Sequence, residues 1–377
     1  MSSINHGLSH THARRLVIKI GSVLLVEEKT GKLYRTWLDA MVDDIAACKE
    51  RGQEVLIVTS GAIAIGRQPL GISGRSLRLE DKQAAAATGQ VRLTQAYQDS
   101  FDQHGITVAQ VLLTIDDTEN RRRYLNARNT LDTLLRLGTV PIINENDTVA
   151  TQEIRFGDND RLAAQVAQMT GADTLVLLSD TDGLYTADPS QDTDAKLVPL
   201  VTEITPEIQA MAGAAQPGHG TGGMETKLSA ARICMAAGCH LVIAPGRKLN
   251  PIAALEKGGD CTWFESSAEP RTARKEWIAG GLQPVGAILI DEGAATALQN
   301  GKSVLPAGVI GVEGKFHRGD GVSILTVDGE VLGKGICAYS AEDARIIIGC
   351  QSDSIEGLLG YRGREELIHR DDLVLGK

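Results

Sequence analysis

Thr139-Val-Pro-Ile-Ile-Asn144-Glu145-Asn146-Asp147 and, a little further on, Gly157-Asp158-Asn159-Asp160-Arg161-Leu-Ala-Ala-Gln-Val-Ala-Gln-Met169 decide how this chain is read. Residues 139–143 are apolar and suit a buried strand, while residues 161–169 have helical spacing and good helix formers. A strand ends, a loop dense in Asn and Asp follows, and a helix carries the chain away. In an open parallel sheet, ligands bind beyond the carboxyl ends of the strands, where such loops sit. Asn, Asp and Gly also favour ordinary solvated turns, so the rest of the chain has to decide between the two.

Working outward, Arg14-Arg-Leu-Val-Ile-Lys19-Ile-Gly21-Ser22-Val-Leu-Leu25 is read as an apolar strand interrupted by a lysine that Gly21-Ser22 follows. A buried lysine is costly without a partner, but one at a strand end can point into a site while Gly21 lets the backbone approach a phosphate. A solvated edge-strand lysine is the alternative, disfavoured by the apolar residues on both flanks. No G-x-x-x-x-G-K-[ST] loop is present, which excludes a P-loop nucleotide site. Residues 38–51 read as an amphipathic helix closed by Gly52. Glu54-Val-Leu-Ile-Val-Thr59-Ser60-Gly61 is a second buried strand running into a helix start. Backbone N–H groups there form an anion pocket to which Ser60 adds a hydroxyl; a plain Ser cap is equally ordinary.

Helical pattern over 80–104, a strand over 107–114, a helix over 124–137 and a strand ending in Ser179-Asp180 continue the alternation. Such alternation predicts an α/β domain with a mainly parallel sheet sandwiched by helices. Gly220-Thr221-Gly222-Gly223-Met224-Glu-Thr226-Lys227 precedes a helix over 228–237. Glycines before a helix that carries an early lysine suit a loop that folds over phosphates, with Lys227 as a point charge; a linker is the plain alternative. Residues 265–280 turn polar and charged and are expected to be a linker between domains at 14–264 and 281–377. The tail has short β-like runs at 285–290, 302–305, 309–312, 322–325, 346–348 and 373–375, with helices only at 293–299 and 353–359, and is expected to be a small β-rich domain.

The length of 377 residues implies two domains. A net charge of −10 argues against broad nucleic-acid binding, which needs basic surface. It leaves room for an anionic substrate, because a few lysines in a cleft focus a local field. Cys48, Cys234, Cys239, Cys261, Cys337 and Cys350 form no C-x-x-C pair and read as scattered thiols in a reducing cytosol. Residues 1–15 lack an apolar signal core, and no run has the length of a membrane span. A cytoplasmic protein without membrane association is expected.

Lys19-Ile-Gly-Ser, Val58-Thr-Ser-Gly-Ala-Ile63, the Asn144–Asp160 pair of polar motifs, Ser179-Asp180 with Gly183-Leu-Tyr, and Gly220 through Lys227 together resemble the amino-acid kinase family. Within it they are similar to the branch that acts on the side chain of L-glutamate, and the resemblance covers residues 14–264. Residues 281–377 resemble a PUA domain, through Ile290-Asp-Glu-Gly-Ala294, Leu305-Pro-Ala-Gly308 and His369-Arg-Asp-Asp372. The resemblance implies ATP-dependent phosphorylation of the L-glutamate side-chain carboxylate to γ-glutamyl 5-phosphate. That is the first step of proline biosynthesis, with feedback inhibition by proline. A carboxylate is already ionised near neutral pH and needs no general base; alignment and charge neutralisation are what phosphoryl transfer requires.

On that resemblance Lys19 and Lys227 are expected to flank the transferred group, with Asp160 holding both and Asp158 beside it as a further catalytic candidate. Ser60, Gly61, Asn144, Asp147 and Asn159 are expected to bind substrate, Asp147 through the α-ammonium group. Gly21, Ser179, Asp180, Thr221, Gly222, Gly223, Met224 and Thr226 are expected, with the two lysines, on the ATP side. Mg²⁺ is expected to be held by the ATP phosphates and water, so no protein ligand to a metal is assigned. A homo-oligomer and hand-over of the labile product to a glutamyl phosphate reductase are further implications. Acetylglutamate, aspartate, uridylate and carbamate kinases share the lysine and glycine elements, so another carboxylate kinase is the rival within the fold. RNA binding through the PUA-like tail is the rival of another class. Residues 281–377 carry nine Lys/Arg against fourteen Asp/Glu, a balance of −5 that speaks against tight RNA binding.

Overall fold

The apolar, β-branched runs of the sequence become the strands of one sheet. The computed structural model describes residues 9–27, 30–72, 77–150, 159–213 and 223–376. The chain divides into two compact units, one of Met1–Glu119 with Asn126–Pro270 and one of Asn120–Leu125 with Arg271–Lys377. The strands of the first unit are β1 (Arg15–Ile20), β2 (Glu54–Val58), β3 (Val108–Leu113), β4 (Val140–Glu145), β5 (Thr174–Ser179), β6 (Leu200–Val201), β7 (His240–Pro245) and β8 (Thr262–Phe264). They lie in the order β3-β4-β2-β1-β5-β7-β8-β6. Each neighbouring pair is parallel except β7 with β8. The expected mainly parallel α/β sheet is what forms. Its central strands are covered on both faces, which is why they read as continuous apolar runs rather than alternating ones.

β1 is the pivot. β2, β4 and β3 lie to one side of it, and β5, β7, β8 and β6 to the other. A crevice for ligands opens where strand order reverses in this way. Every residue of β1 is buried, including the two that carry charge. At its start Arg15 is pinned by Glu54 (Nε to Oε2, 2.8 Å) and Asp132 (Nη1 to Oδ1, 2.9 Å). It also donates to the Thr170 carbonyl. Towards its end Lys19 stands beside Val58 and Leu177, at the carboxyl edge of three parallel strands. The apolar run that begins at residue 14 stops at Ile20, and Ser22–Leu25 forms a short helix instead of prolonging the strand. Conversely β4 runs two residues past the apolar run, so Asn144 and Glu145 belong to the strand.

One helix pair sets the shape of the carboxyl edge. The helix after β2 (Ala62–Arg67) lies against the long helix Leu79–Asp102, and glycines form the contact. A Cβ on Gly89 would sit 1.7 Å from the Ala62 carbonyl oxygen, and one on Gly66 would sit 1.8 Å from that of Ala85. Only glycine permits backbones to approach so closely.

The second unit has a five-stranded sheet of β9 (Gly286–Ile290), β10 (Val309–Gly314), β11 (Gly321–Leu325), β12 (Val331–Ile336) and β13 (Leu373–Leu375), ordered β10-β9-β11-β12-β13. Its core packs Ile288, Ile290, Val322, Ile324, Tyr339 and Leu373. β12 lies outside the runs expected from sequence because Gly333 and Gly335 dilute its pattern. A Cβ on Gly333 would lie 2.3 Å from the Val374 carbonyl oxygen, so the neighbouring β13 demands the glycine. The β-like run at 346–348 is not a strand: Ser340 caps a helix, Ala341–Ile346, by accepting from the Asp343 N–H. Ala341, Ala344 and Ile347 are the buried positions, and their spacing of three is helical rather than alternating. The run at 302–305 contributes a single bridge, Val304 with Ile368. Residues 265–280, read as a linker, carry the helix Pro270–Gly281, which opens on its proline. Among the described residues no helix is long and apolar enough to cross a membrane.

The glycine contact predicts an unusual sign for a helix substitution. Alanine in place of a mid-helix glycine normally stabilises by about 0.5–1 kcal/mol. At Gly89 the overlap with Ala62 outweighs that gain, because overpacking costs about 1–3 kcal/mol or more. Gly89→Ala is expected to unfold at lower denaturant than the parent. Gly357→Ala, where an added Cβ meets nothing within 4 Å, is expected to be neutral or stabilising. Urea melts of both variants check this, and a Gly89→Ala protein as stable as the parent would show that the helix contact is not tight.

Candidate active site

Four strand ends and two helix starts converge at the carboxyl edge of the sheet. Asn159 and Asp160 open the helix Asn159–Thr170 that follows β4, and their side chains head two polar clusters. Asp160 is fully buried and accepts two ammonium groups. Lys19 Nζ lies 2.6 Å from its Oδ1, and Lys227 Nζ lies 3.3 Å from its Oδ2. Thr226 Oγ1 donates to Oδ2 at 2.9 Å. Both lysines are buried at about the same depth, 7 % and 6 % exposed as residues. Burial by itself would raise the pKa of Asp160, but the charges of Lys19 and then Lys227, with the hydrogen bonds from Lys19 and Thr226, overcome it and hold the carboxyl below its ordinary value. Two ammonium groups thus meet at one buried carboxylate at the carboxyl edge, a setting suited to receiving an anion.

Lys227 and Thr226 sit in the first turn of the helix Met224–Ala236, with Gly223 as its N-cap. The N–H groups of that turn face outward from a helix start, the usual setting for anion binding. Gly21 caps the short helix after β1, and a Cβ there would sit 4.0 Å from Lys19 Nζ, so the glycine keeps the space beside the ammonium group open.

The second cluster is built from neutral groups. Asn159 Nδ2 donates to the Thr59 carbonyl at 2.6 Å, to Ser60 Oγ at 2.7 Å and to Asn144 Oδ1 at 3.0 Å. Asn144 Oδ1 also accepts the N–H of Glu145 at 2.9 Å. Gly61 follows with φ of +100°, and a Cβ there would meet Val26 Cγ2 at 2.9 Å, so glycine is required for the chain to turn from β2 into its helix. Asp147 stands in the turn after β4. Desolvation first and then the charge of Glu145 raise its carboxyl to about 7, well inside the range where small changes of pH recharge it.

The site residues expected from sequence thus fall into distinct groups. Lys19, Asp160, Thr226 and Lys227 are brought into one cluster, and Ser60, Asn144 and Asn159 into another. Ser179 ends β5 and donates to Asp180 Oδ1 at 3.2 Å. Asp180 itself is largely exposed and pairs with Arg247 at 3.8 Å, a surface contact of little energetic weight. Asp158, Thr221 and Gly222 lie outside the described residues. Among the described residues no group of His, Cys, Asp and Glu is arranged to hold a metal ion. Asp160 could offer its oxygens to one only by giving up its lysines.

Thr59, from the Val58–Ile63 motif, completes the neutral cluster with Gln90 and Tyr97, which belong to no motif. Gln90 Oε1 accepts from Asn144 Nδ2 at 2.8 Å, and the Tyr97 hydroxyl lies 3.0 Å from Thr59 Oγ1. A signal for Gln90 exists in the helix pattern: it falls on the buried stripe of Ala86, Leu93 and Tyr97, where a polar residue needs a partner.

The amino acid kinase family model matches residues 14–245, and the PUA domain model matches residues 286–359. A glutamate 5-kinase of Paramagnetospirillum magneticum is 61% identical over 363 residues, which are 96% of this chain and 98% of that protein. A glutamate 5-kinase of Rhodospirillum rubrum is 60% identical across 95% of this chain and 96% of its own length. One of Agrobacterium fabrum is 57% identical across 96% of this chain and 92% of its own length. Among solved structures, UMP kinase from Ureaplasma parvum overlaps 67% of this chain and 99% of its own, at 15% identity and a TM-score of 0.47. With a family model spanning more than half its length and a PUA domain matched in the remainder, this chain belongs to the amino acid kinase family.

Proposed function

We propose that this chain transfers the γ-phosphoryl group of ATP to the side-chain carboxylate of L-glutamate, giving γ-glutamyl 5-phosphate for proline biosynthesis. The observation that carries the reading is the pair of buried ammonium groups on Asp160, beside neutral donors suited to a carboxylate. The substrate is argued from relatives of 55–61% identity that bear the name glutamate 5-kinase. A carboxylate oxygen attacks the γ-phosphorus, the new O–P bond forms as the bond to the β-phosphate oxygen breaks, and ADP departs. No proton changes hands, so no base is called for. The demand is for charge neutralisation along the in-line path.

On this reading Lys19 and Lys227 stabilise the charge on the transferred group, and Asp160 keeps both in position. Gly21, Gly223 and the N–H groups around Met224 receive phosphate oxygens, with Ser179 and Asp180 towards the nucleotide. Ser60, Gly61, Asn144 and Asn159 receive the amino acid, and Asp147 takes its α-ammonium group. Mg²⁺ would be carried by the ATP phosphates and would supply charge neutralisation there. L-proline shares the α-amino-acid head and is proposed to inhibit by competing for these groups. The same reading includes a cytoplasmic homo-oligomer whose labile acyl phosphate passes to a reductase.

Trapping the acyl phosphate with hydroxylamine tests the reading directly. Hydroxamate is expected with ATP and L-glutamate, suppressed by L-proline and absent with N-acetylglutamate or aspartate. Hydroxamate from one of those acids instead would transfer the mechanism to another substrate. Lys19→Ala is expected to stay folded and lose about 10²–10³ in kcat, the scale for removing one charge-stabilising donor. Near-normal turnover would take Lys19 out of the chemistry.

Asp147 predicts a pH dependence with a definite sign. With its carboxyl raised to about 7, it is mostly protonated at pH 6 and ionised at pH 8, and only the ionised form pairs with an ammonium group. The KM for L-glutamate is therefore expected to fall as pH rises from about 6 to about 8 and then level, approaching tenfold per pH unit on the acid side. Asp147→Asn should flatten that profile at a raised KM. A pH-independent KM in the parent would remove Asp147 from ammonium binding.

A further inference from the structure

The neutral cluster has a direction, and it can be traced atom by atom. Backbone groups have fixed polarity and so fix the side chains that meet them. The Glu145 N–H can only donate, so the atom of Asn144 facing it at 2.9 Å is the carbonyl oxygen Oδ1. The amide nitrogen of Asn144 must then donate in the other direction, to Gln90 Oε1 at 2.8 Å. That in turn turns Gln90 Nε2 towards Thr94 Oγ1, at 3.3 Å. The Thr59 carbonyl can only accept, so the atom of Asn159 that faces it at 2.6 Å is Nδ2. The same nitrogen meets Ser60 Oγ at 2.7 Å, and Ser60 Oγ therefore accepts. Its own hydroxyl proton is left to be donated elsewhere, which suits an anionic ligand oxygen and not an ammonium group.

Gln90 joins this chain from the long helix Leu79–Asp102. It is buried, as is Asn144. It reaches Asn144 because the preceding residue, Gly89, lets its helix close on Ala62, as the 1.7 Å clearance for a Cβ shows. Without an acceptor at position 90, the Asn144 amide would hold a buried unsatisfied N–H, and the side chain would lose the contact that holds it against Asn159. We propose that Gln90 is a positioning residue for the acceptor substrate: by accepting from Asn144 Nδ2 it satisfies that buried amide and holds the Asn144 side chain in place against Asn159, so that the Ser60 hydroxyl, whose polarity the Thr59 carbonyl and Asn159 already set, stays placed to donate to a carboxylate. The assignment rests on the reading of this site as a carboxylate kinase; it concerns substrate capture rather than the phosphoryl-transfer step, which belongs to the lysine cluster.

Two substitutions separate positioning from bulk. Gln90→Met keeps the length and volume but offers no acceptor, whereas Gln90→Glu keeps an oxygen for Asn144. Gln90→Met is expected to raise the KM for L-glutamate by about tenfold or more, the scale of one unsatisfied buried amide. Its KM for ATP should stay within about twofold and kcat should change less than the glutamate KM, since the loss is in ground-state binding. Gln90→Glu should restore most of the glutamate KM. Independently of turnover, the side-chain amide protons of Asn144 and Asn159 are expected to exchange slowly in the parent, quickly in Gln90→Met and slowly again in Gln90→Glu, by nitrogen-edited NMR. An unchanged glutamate KM in Gln90→Met, equal rises in both KM values, or amide exchange indifferent to residue 90 would overturn the assignment. A parent that turns over no glutamate would instead overturn the reading of function, and the exchange measurement would still decide the role of Gln90.

Discussion

Everything at the carboxyl edge of the sheet depends on one buried carboxylate between two ammonium groups. Asp160 has no exposed surface, and its ionised form survives because Lys19 and Lys227 approach from different elements, one a central strand and one a helix start. Removing Asp160 would leave two buried ammonium groups without the carboxylate they share, which costs far more than the intact set contributes. The arrangement therefore locks β1, the helix Asn159–Thr170 and the helix Met224–Ala236 to one another. Two ammonium groups brought to one edge of a sheet also suit a site that receives an anion.

The opposite end of β1 shows the structural version of the same problem. Arg15 is as buried as Lys19, but it is surrounded by acceptors from three directions: Glu54, Asp132 and the Thr170 carbonyl. Charge there is fully matched, with no room for a ligand to contribute. At the carboxyl edge, by contrast, two ammonium groups from different elements converge on one carboxylate, and that difference separates a girder from a site. It agrees with the general placement of ligands in open parallel sheets.

Most of this was legible in the sequence for a physical reason. Strands covered on both faces leave long apolar runs, and a charge inside such a run, as at Lys19, announces a partner. Asn159 and Asp160 could be assigned to a helix start because helical spacing begins immediately after them. The less legible parts share a different cause: they depend on neighbours distant in the chain. β12 is glycine-rich because β13 presses on it, which dilutes its pattern to that of a loop. The isoleucines at 346–348 look like a strand until the Ser340 cap is counted. Gln90 stands in a helix 54 residues from the asparagine it contacts, and no motif spacing reports such a pair.

The two clusters differ in chemistry as well as position, and the difference follows from what each would have to do. Charge builds on the phosphoryl group during transfer, so fixed ammonium groups there act more strongly on the transition state than on the ground state. A substrate carboxylate that has to act as a nucleophile is better served by hydrogen bonds from Ser60 and the amides than by a tight ion pair, which would stabilise its ground state and blunt its attack. Adjacent residues on one helix divide the labour: Asp160 turns to the lysines and Asn159 to the neutral donors. Because consecutive helical side chains diverge by about 100°, a single first turn can serve both. That turn also keeps the two clusters at a fixed separation, which is the alignment that transfer between a bound phosphate and a bound carboxylate demands.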